Sequence, residues 1–248
     1  MQRVSLAAVM TGACVALSSA CGGGTSATTS PPPAVSTAPS QSATAAPSPS
    51  SASPAPTNPQ DFAAKISKIP SRATVRYSWH SGCPVGIGDL SLIKMTYWGM
   101  DKKPHNGEMV VNADSAHKIV KVFHKLYDER YPIRRMELVD KYKGSDFDSI
   151  EADNTSAFNC RNATGASSWS QHAYGHAVDL NPCENPYVHA NGHIEHPRCV
   201  KYGDRKRKDP GVIHPGDKVV KAFASIGWGW GGNWGGPWDY QHFSANGH

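Results

Sequence analysis

Ser170-Gln171-His172-Ala173-Tyr174-Gly175-His176-Ala177-Val178-Asp179 is the most informative stretch of this chain. It offers an imidazole at 172 and a carboxylate at 179, with a glycine turn between them. Gly175 permits the backbone reversal that lets two distant side chains converge, and Ala177 keeps the approach uncrowded. After the turn, Val178 to Leu180 reads as a buried strand. Two such ligands need a third, and Asp239-Tyr240-Gln241-His242 supplies it near the C-terminus. His172, Asp179 and His242 suit one catalytic Zn2+, which takes three protein ligands plus water. Asp239, three residues before His242, is spaced to stand beside a metal-bound water without being a ligand, as a general base would.

Other assignments compete for the same residue types. His176 is four residues from His172, so a helix there would pair the two, but Gly175 and the strand-like Ala-Val-Asp argue against a helix. Cys183, His189, His193, His196 and Cys199 read alternatively as a structural zinc knuckle, although their spacings fit no common finger. Trp228, Trp230, Trp234 and Trp238 either line a groove or pack as a lid. No partner is assigned to His80, His105, His117, His124, His214 or His248.

Outward from the motif, Leu90 to Trp98 is rich in strand formers. Met109 to Val111, after Asn106-Gly107, reads as the second arm of a hairpin. A helix is expected over Ala113 to Arg130, with Ala116, Ile119, Val120, Phe123, Leu126 and Tyr127 on one face. Asn112 would cap it and Pro132 follow its end. A second helix is expected over Asp217 to Ile226, stopped by Gly227. Residues 227–236 are too glycine-rich for a helix. Strands and helices mix without regular βαβ alternation, which predicts an α+β fold with a small antiparallel sheet and flanking helices.

The N-terminal part is of another kind. Arg3, an apolar run from Leu6 to Ala20 and small residues before Cys21 read as a secretory signal, and Leu17-Ser-Ser-Ala-Cys21 resembles a lipobox. Cys21 would then be acylated and anchor the chain to the outer face of the bacterial cytoplasmic membrane. Residues 22–60 hold no charge and are mostly Ser, Thr, Ala and Pro, a composition that predicts a disordered linker. Its reach is on the order of 35 Å as a coil and ~120 Å fully extended. The organisation expected is therefore 1–21 signal, 22–60 linker and 61–248 one folded domain. The net charge of +5 is modest. The basic run Lys201 to Lys208 holds a single aromatic, Tyr202, too few for a stacking platform; it reads as a solvated loop and gives no reason to expect nucleic acid as a partner. Of six cysteines, Cys83, Cys160, Cys183 and Cys199 fall in the folded part. Export favours two disulfides, and of three pairings the reading prefers Cys183–Cys199, a local loop, with Cys83–Cys160.

Ser170-x-His172-x-x-Gly175-x-Ala177-x-Asp179, followed by Asp239-x-x-His242-Phe243, resembles the pattern of the M15 metallopeptidases. This family includes D-alanyl-D-alanine carboxypeptidases, D-Ala-D-Ala dipeptidases and L-alanyl-D-glutamate endopeptidases. Phe158-Asn159-Cys160-Arg161, Asn181-Pro182, Asn185-Pro186-Tyr187 and Gly229-Trp230-Gly231-Gly232 extend the likeness over most of residues 75–245. The resemblance implies the zinc D,D-peptidase (hedgehog-like) fold, His172, Asp179 and His242 as ligands of one Zn2+, and Asp239 as general base. It implies that Arg161 stabilises the oxyanion. It implies hydrolysis of peptidoglycan stem peptides by a monomer working in the cell wall. A rival is a non-catalytic, zinc-containing wall-binding lipoprotein, which would need neither Asp239 nor Arg161. A glycan hydrolase lacks a second carboxylate to pair with Asp239.

Overall fold

A computed structural model describes residues 61–248; the signal, lipidation and linker expectations on residues 1–60 lie outside the described residues. β1 (Ala64–Lys68), β2 (Leu90–Trp98) and β3 (Pro104–Asn112) form an antiparallel sheet in that order. α1 (Ala116–Asp128) follows β3, then the short α2 (Asp146–Glu151) and the single-turn α3 (Gln171–Tyr174). β4 (Ala177–Asp179), β5 (Tyr187–Val188) and α4 (Lys218–Ala224) come next. β6 (Gly229–Trp230), β7 (Trp238–Asp239) and β8 (His242–Ser244) end the chain. β4, β8 and β6 make a second antiparallel sheet in the order β4-β8-β6, and β5 pairs with β7. The mixture of small antiparallel sheets and few helices agrees with the α+β expectation. No helix among the described residues is long and apolar enough to cross a membrane.

One core joins the two three-stranded sheets. α1 buries Ile119, Val122, Phe123 and Leu126 against Ile93, Met95, Met109 and Val111, and α4 adds Val219 and Phe223. Phe223 stacks on Phe243 of β8 at a centroid separation of 4.0 Å. That contact ties the second sheet to the helices, and replacing a buried Phe with Ala typically costs about 3–5 kcal/mol. The buried face of α1 includes Val122 where the sequence pattern placed the half-buried Val120.

Two local expectations change. Asn106-Gly107 is not the hairpin turn; residues 99–103 reverse the chain and β3 begins at Pro104. Gly107 sits inside β3 opposite Met95, where a Cβ would come within 2.6 Å of the Met136 side chain. Asn112 does not cap α1. The helix begins after Ser115, while Asn112 accepts from the Asp114 amide and donates to the Tyr174 carbonyl. Both preferred disulfides are formed, Cys83–Cys160 and Cys183–Cys199. The second rules out the zinc knuckle. The basic run is not simply solvated: Arg205 donates to the Glu184, Tyr202 and Ile213 carbonyls and lies 4.1 Å over the Tyr240 ring.

Candidate metal centre and its cleft

The quoted stretch folds as one tight unit. Ser170 caps α3, its hydroxyl accepting from the His172 amide at 3.2 Å. Gly175 ends α3 in the left-handed region at φ 71°, and a Cβ there would come within 2.4 Å of the Asn112 nitrogen. Both facts demand glycine. The Gly175 carbonyl accepts from the Asn112 amide, which fixes the turn to the end of β3. β4 then pairs with β8 so that Asp179 lies directly opposite His242. Cross-strand partners share a face, so this register alone brings two of the three candidate ligands together.

The third arrives from α3. His172 Nε2 lies 3.1 Å from Asp179 Oδ2 and 3.2 Å from His242 Nδ1, and His242 Nδ1 lies 3.1 Å from Asp179 Oδ1. All three residues are buried. His172 Nδ1 is bonded to the Ala157 carbonyl, which can only accept, so the imidazole proton resides there. Nε2 is therefore the nitrogen that faces the Asp179 carboxylate, and a proton or a metal cation must stand between the two. His242 Nε2 is also buried without a hydrogen-bond partner among the described residues. The donor set and its geometry fit a metal ion held by His172, Asp179 and His242. Burial alone would raise the Asp179 carboxyl; the charge of His172 and hydrogen bonds from both histidines hold it well below the usual carboxylate range.

Asp239 stands beside this group on β7, opposite Tyr187. Gly231 lets its strand approach, since a Cβ there would meet the Asp239 carbonyl oxygen at 2.5 Å. Asp239 Oδ1 is buried and has no hydrogen-bond partner among the described residues. Burial, and then the negative charge of Asp179, push the Asp239 carboxyl up to about 7; His242 and Arg161 partly offset them. Arg161 follows Cys160, whose disulfide and amide bond to the Ser78 carbonyl fix the segment. Its Nε lies 2.9 Å from Asp146 Oδ1 at the start of α2, without an aligned hydrogen bond. Asp146 had no signal in the sequence.

The remaining candidates scatter. His176 pairs with Asp114 at 2.9 Å and is not part of the triad. His80, Cys83 and Cys160 also converge, but both sulfurs are spent in the disulfide. Trp228 and Trp230 are core residues, whereas Trp234 lines the cleft with its ring 5.6 Å from His242. The tryptophans thus divide between the two roles expected of them. Trp169 and Tyr187 are cleft residues that sequence reasoning did not single out for the site.

Residues 164–245 match the family model described as D-alanyl-D-alanine carboxypeptidase, one of the M15 peptidases. Over these residues the chain is similar to the M15 peptidases, which supports reading it as a peptidase of that family. The match spans His172, Asp179, Asp239 and His242, and Arg161 lies just ahead of it. No curated protein and no solved structure matches the chain. The matched segment contains every residue of the buried His-Asp-His group.

Proposed function

We propose that the chain is a zinc-dependent peptidase acting on the D-alanine-containing stem peptides of peptidoglycan. The convergence of His172, Asp179 and His242 beside an unpartnered Asp239 carries this reading. Zinc suits two imidazoles and a carboxylate, and when bound it would polarise the scissile carbonyl and lower the pKa of water toward ~7. Asp239 is poised to take a proton near neutral pH and to return it to the leaving amine. Arg161 supplies positive charge next to Asp239, where an oxyanion would develop. His172 is oriented by Ala157, so its metal-facing nitrogen is set before binding.

The signal-like N-terminus and Cys21 support export with a lipid anchor on the outer face of the cytoplasmic membrane. The uncharged segment 22–60 would let a monomeric domain reach wall peptides above that surface. Metal analysis of the purified chain, followed by mass spectrometry of muropeptides after digestion, tests the reading. Zinc near one equivalent and chelator-sensitive cleavage are expected. A chain that holds zinc and cuts no muropeptide would instead be the wall-binding lipoprotein.

A further inference from the structure

Two hollows meet at Asp239. One, of about 310 Å³, contains His172 and His242 and is lined by polar groups such as Thr164, Ser168, Ser170 and Asn246. The other, of about 270 Å³, contains no metal-ligand candidate and has an apolar floor of Phe147, Ile150, Pro182, Pro186 and Ile194. Arg161, Thr164, Tyr187 and Asp239 line both. The reacting centre therefore lies along a cleft that continues past it rather than at a closed end. Either hollow alone is at the small end of the ~300–1,000 Å³ typical of ligand pockets, and a bound chain would use both.

We propose that this cleft takes an internal peptide bond, with substrate continuing on both sides, so that the peptidase is an endopeptidase. The proposal rests on the peptidase reading above. An enzyme that trims a terminal residue must desolvate a free carboxylate, and that demands a paired cation. Among the described residues lining the two hollows, Arg161 is the only Lys or Arg. It stands at the junction rather than at an outer end, with its Nε already facing Asp146. In the apolar hollow His196 is paired with Glu151 at 2.8 Å, and His189 packs against Tyr187 and His193. Glu195 lines that hollow too, and Asp146 takes up the charge of Arg161, so the hollow offers an anionic terminus no unpaired Lys or Arg among the described residues. Hydrolysis breaks the C–N bond between the two halves. The oxygen of water joins the carbonyl carbon, and one of its protons passes by way of Asp239 to the leaving amine.

The test uses the full chain loaded with zinc and an N-acetylated stem pentapeptide in two forms, free acid and C-terminal amide. Products are read by mass spectrometry. Both forms should be cut at the same internal bond, with kcat/KM within about threefold of one another, because amidation removes no contact. Release of the terminal residue alone would overturn the proposal and leave the peptidase reading intact. So would a loss of about tenfold or more on amidation, the scale of one lost charge-assisted hydrogen bond. No cleavage of either form would remove both. Ile150→Trp, which fills the apolar hollow, should lower kcat/KM for the pentapeptide about tenfold or more at unchanged zinc content. A zinc-replete Ile150→Trp chain with unaltered kcat/KM would also overturn it; if that variant does not fold, the acid and amide comparison decides.

Discussion

The chain sets two pairs of acidic side chains close together in its interior and settles their charge in different ways. In the first pair, Asp153 and Glu184, the chain supplies its own cation. Arg134 Nη2 lies 3.0 Å from Glu184 Oε1, its Nε lies 3.3 Å from Asp153 Oδ2, and Asp153 Oδ1 accepts from the Cys183 amide. In the second pair, Asp179 and Asp239, the chain supplies two imidazoles and no hydrogen-bonded arginine; Asp239 Oδ1, like Glu184 Oε2, lacks a hydrogen-bond partner among the described residues, but here His242 Nε2 is left without one as well. One member of each pair is pushed up to about 7, Glu184 chiefly by burial and then Asp153, Asp239 chiefly by burial and then Asp179. Similar electrostatics thus serve different ends. The pair closed by an arginine is structural, and the pair left open fits a cation from outside and a proton in transit.

The sharpest way to break the contrast is to remove a ligand. His172→Ala or His242→Ala should abolish metal binding, and peptide release should fall by more than the ~10²–10⁴ expected for losing a general base. Inductively coupled plasma analysis reads the first and muropeptide digestion the second. Retained stoichiometric zinc in both variants would refute the triad. Asp239→Asn separates charge from coordination. It should keep the metal and lose about 10²–10⁴ in kcat. A kcat within threefold of the parent chain would show that Asp239 moves no proton.

The two regions also differ in how legible they were in the sequence. His172, Asp179 and His242 were readable because two short motifs carry them, and turn chemistry at Gly175 explained why the first two converge. The register that sets Asp179 against His242 was not readable, since β4 and β8 are three residues each and far apart in sequence. Arg134, Asp153 and Glu184 were missed altogether: their partners lie 19 and 50 residues away, a separation without periodic signature. Arg205 was hidden for a related reason, because a basic run looks solvated until an aromatic ring such as Tyr240 arrives from elsewhere. Asn106-Gly107 misled by local chemistry; the packing of Met136 on Gly107 outweighs its turn preference. Strand β2 and the approximate span of α1 were legible from pattern alone, as were the preferred disulfides from cysteine count and the expectation of export.

A smaller effect should follow from opening the closed pair. Arg134→Met leaves Asp153 and Glu184 without their cation. Breaking a fully buried ion pair typically costs 3–5 kcal/mol, but the Arg134 side chain is 47% exposed, which reduces the loss to about 2 kcal/mol. Urea unfolding of the metal-free chain measures it. Activity per folded, zinc-loaded molecule should be unchanged, because no atom of Arg134 lines the cleft. A large fall in kcat at full zinc content would mean that the two pairs are not separable.

The smallest expected effect is a pH dependence with a definite sign. The Glu184 carboxyl has an ordinary value of 4.5 and is raised to about 7 in the fold, so the native state binds its proton more tightly than the unfolded chain does. Its stabilising contribution is complete below about pH 4.5 and is lost as pH rises toward 7. Asp239 acts in the same direction in the metal-free chain, whereas Asp179, held low, loses its contribution as pH falls through the acid range. Glu184→Gln cannot ionise. Compared with the parent chain it should therefore gain stability, on the order of 1 kcal/mol, as pH is raised from 5 to 8. Asp239→Asn should behave alike without zinc, but the gain should shrink when zinc is added, because the cation stabilises the parent's ionised carboxylate. Zinc should leave the Glu184→Gln gain unaltered, since Arg134 already holds the counter-charge there. Equal sensitivity of both variants to zinc would mean that the metal reaches the Asp153 and Glu184 pair as well, and the distinction between a closed and an open acidic pair would fail.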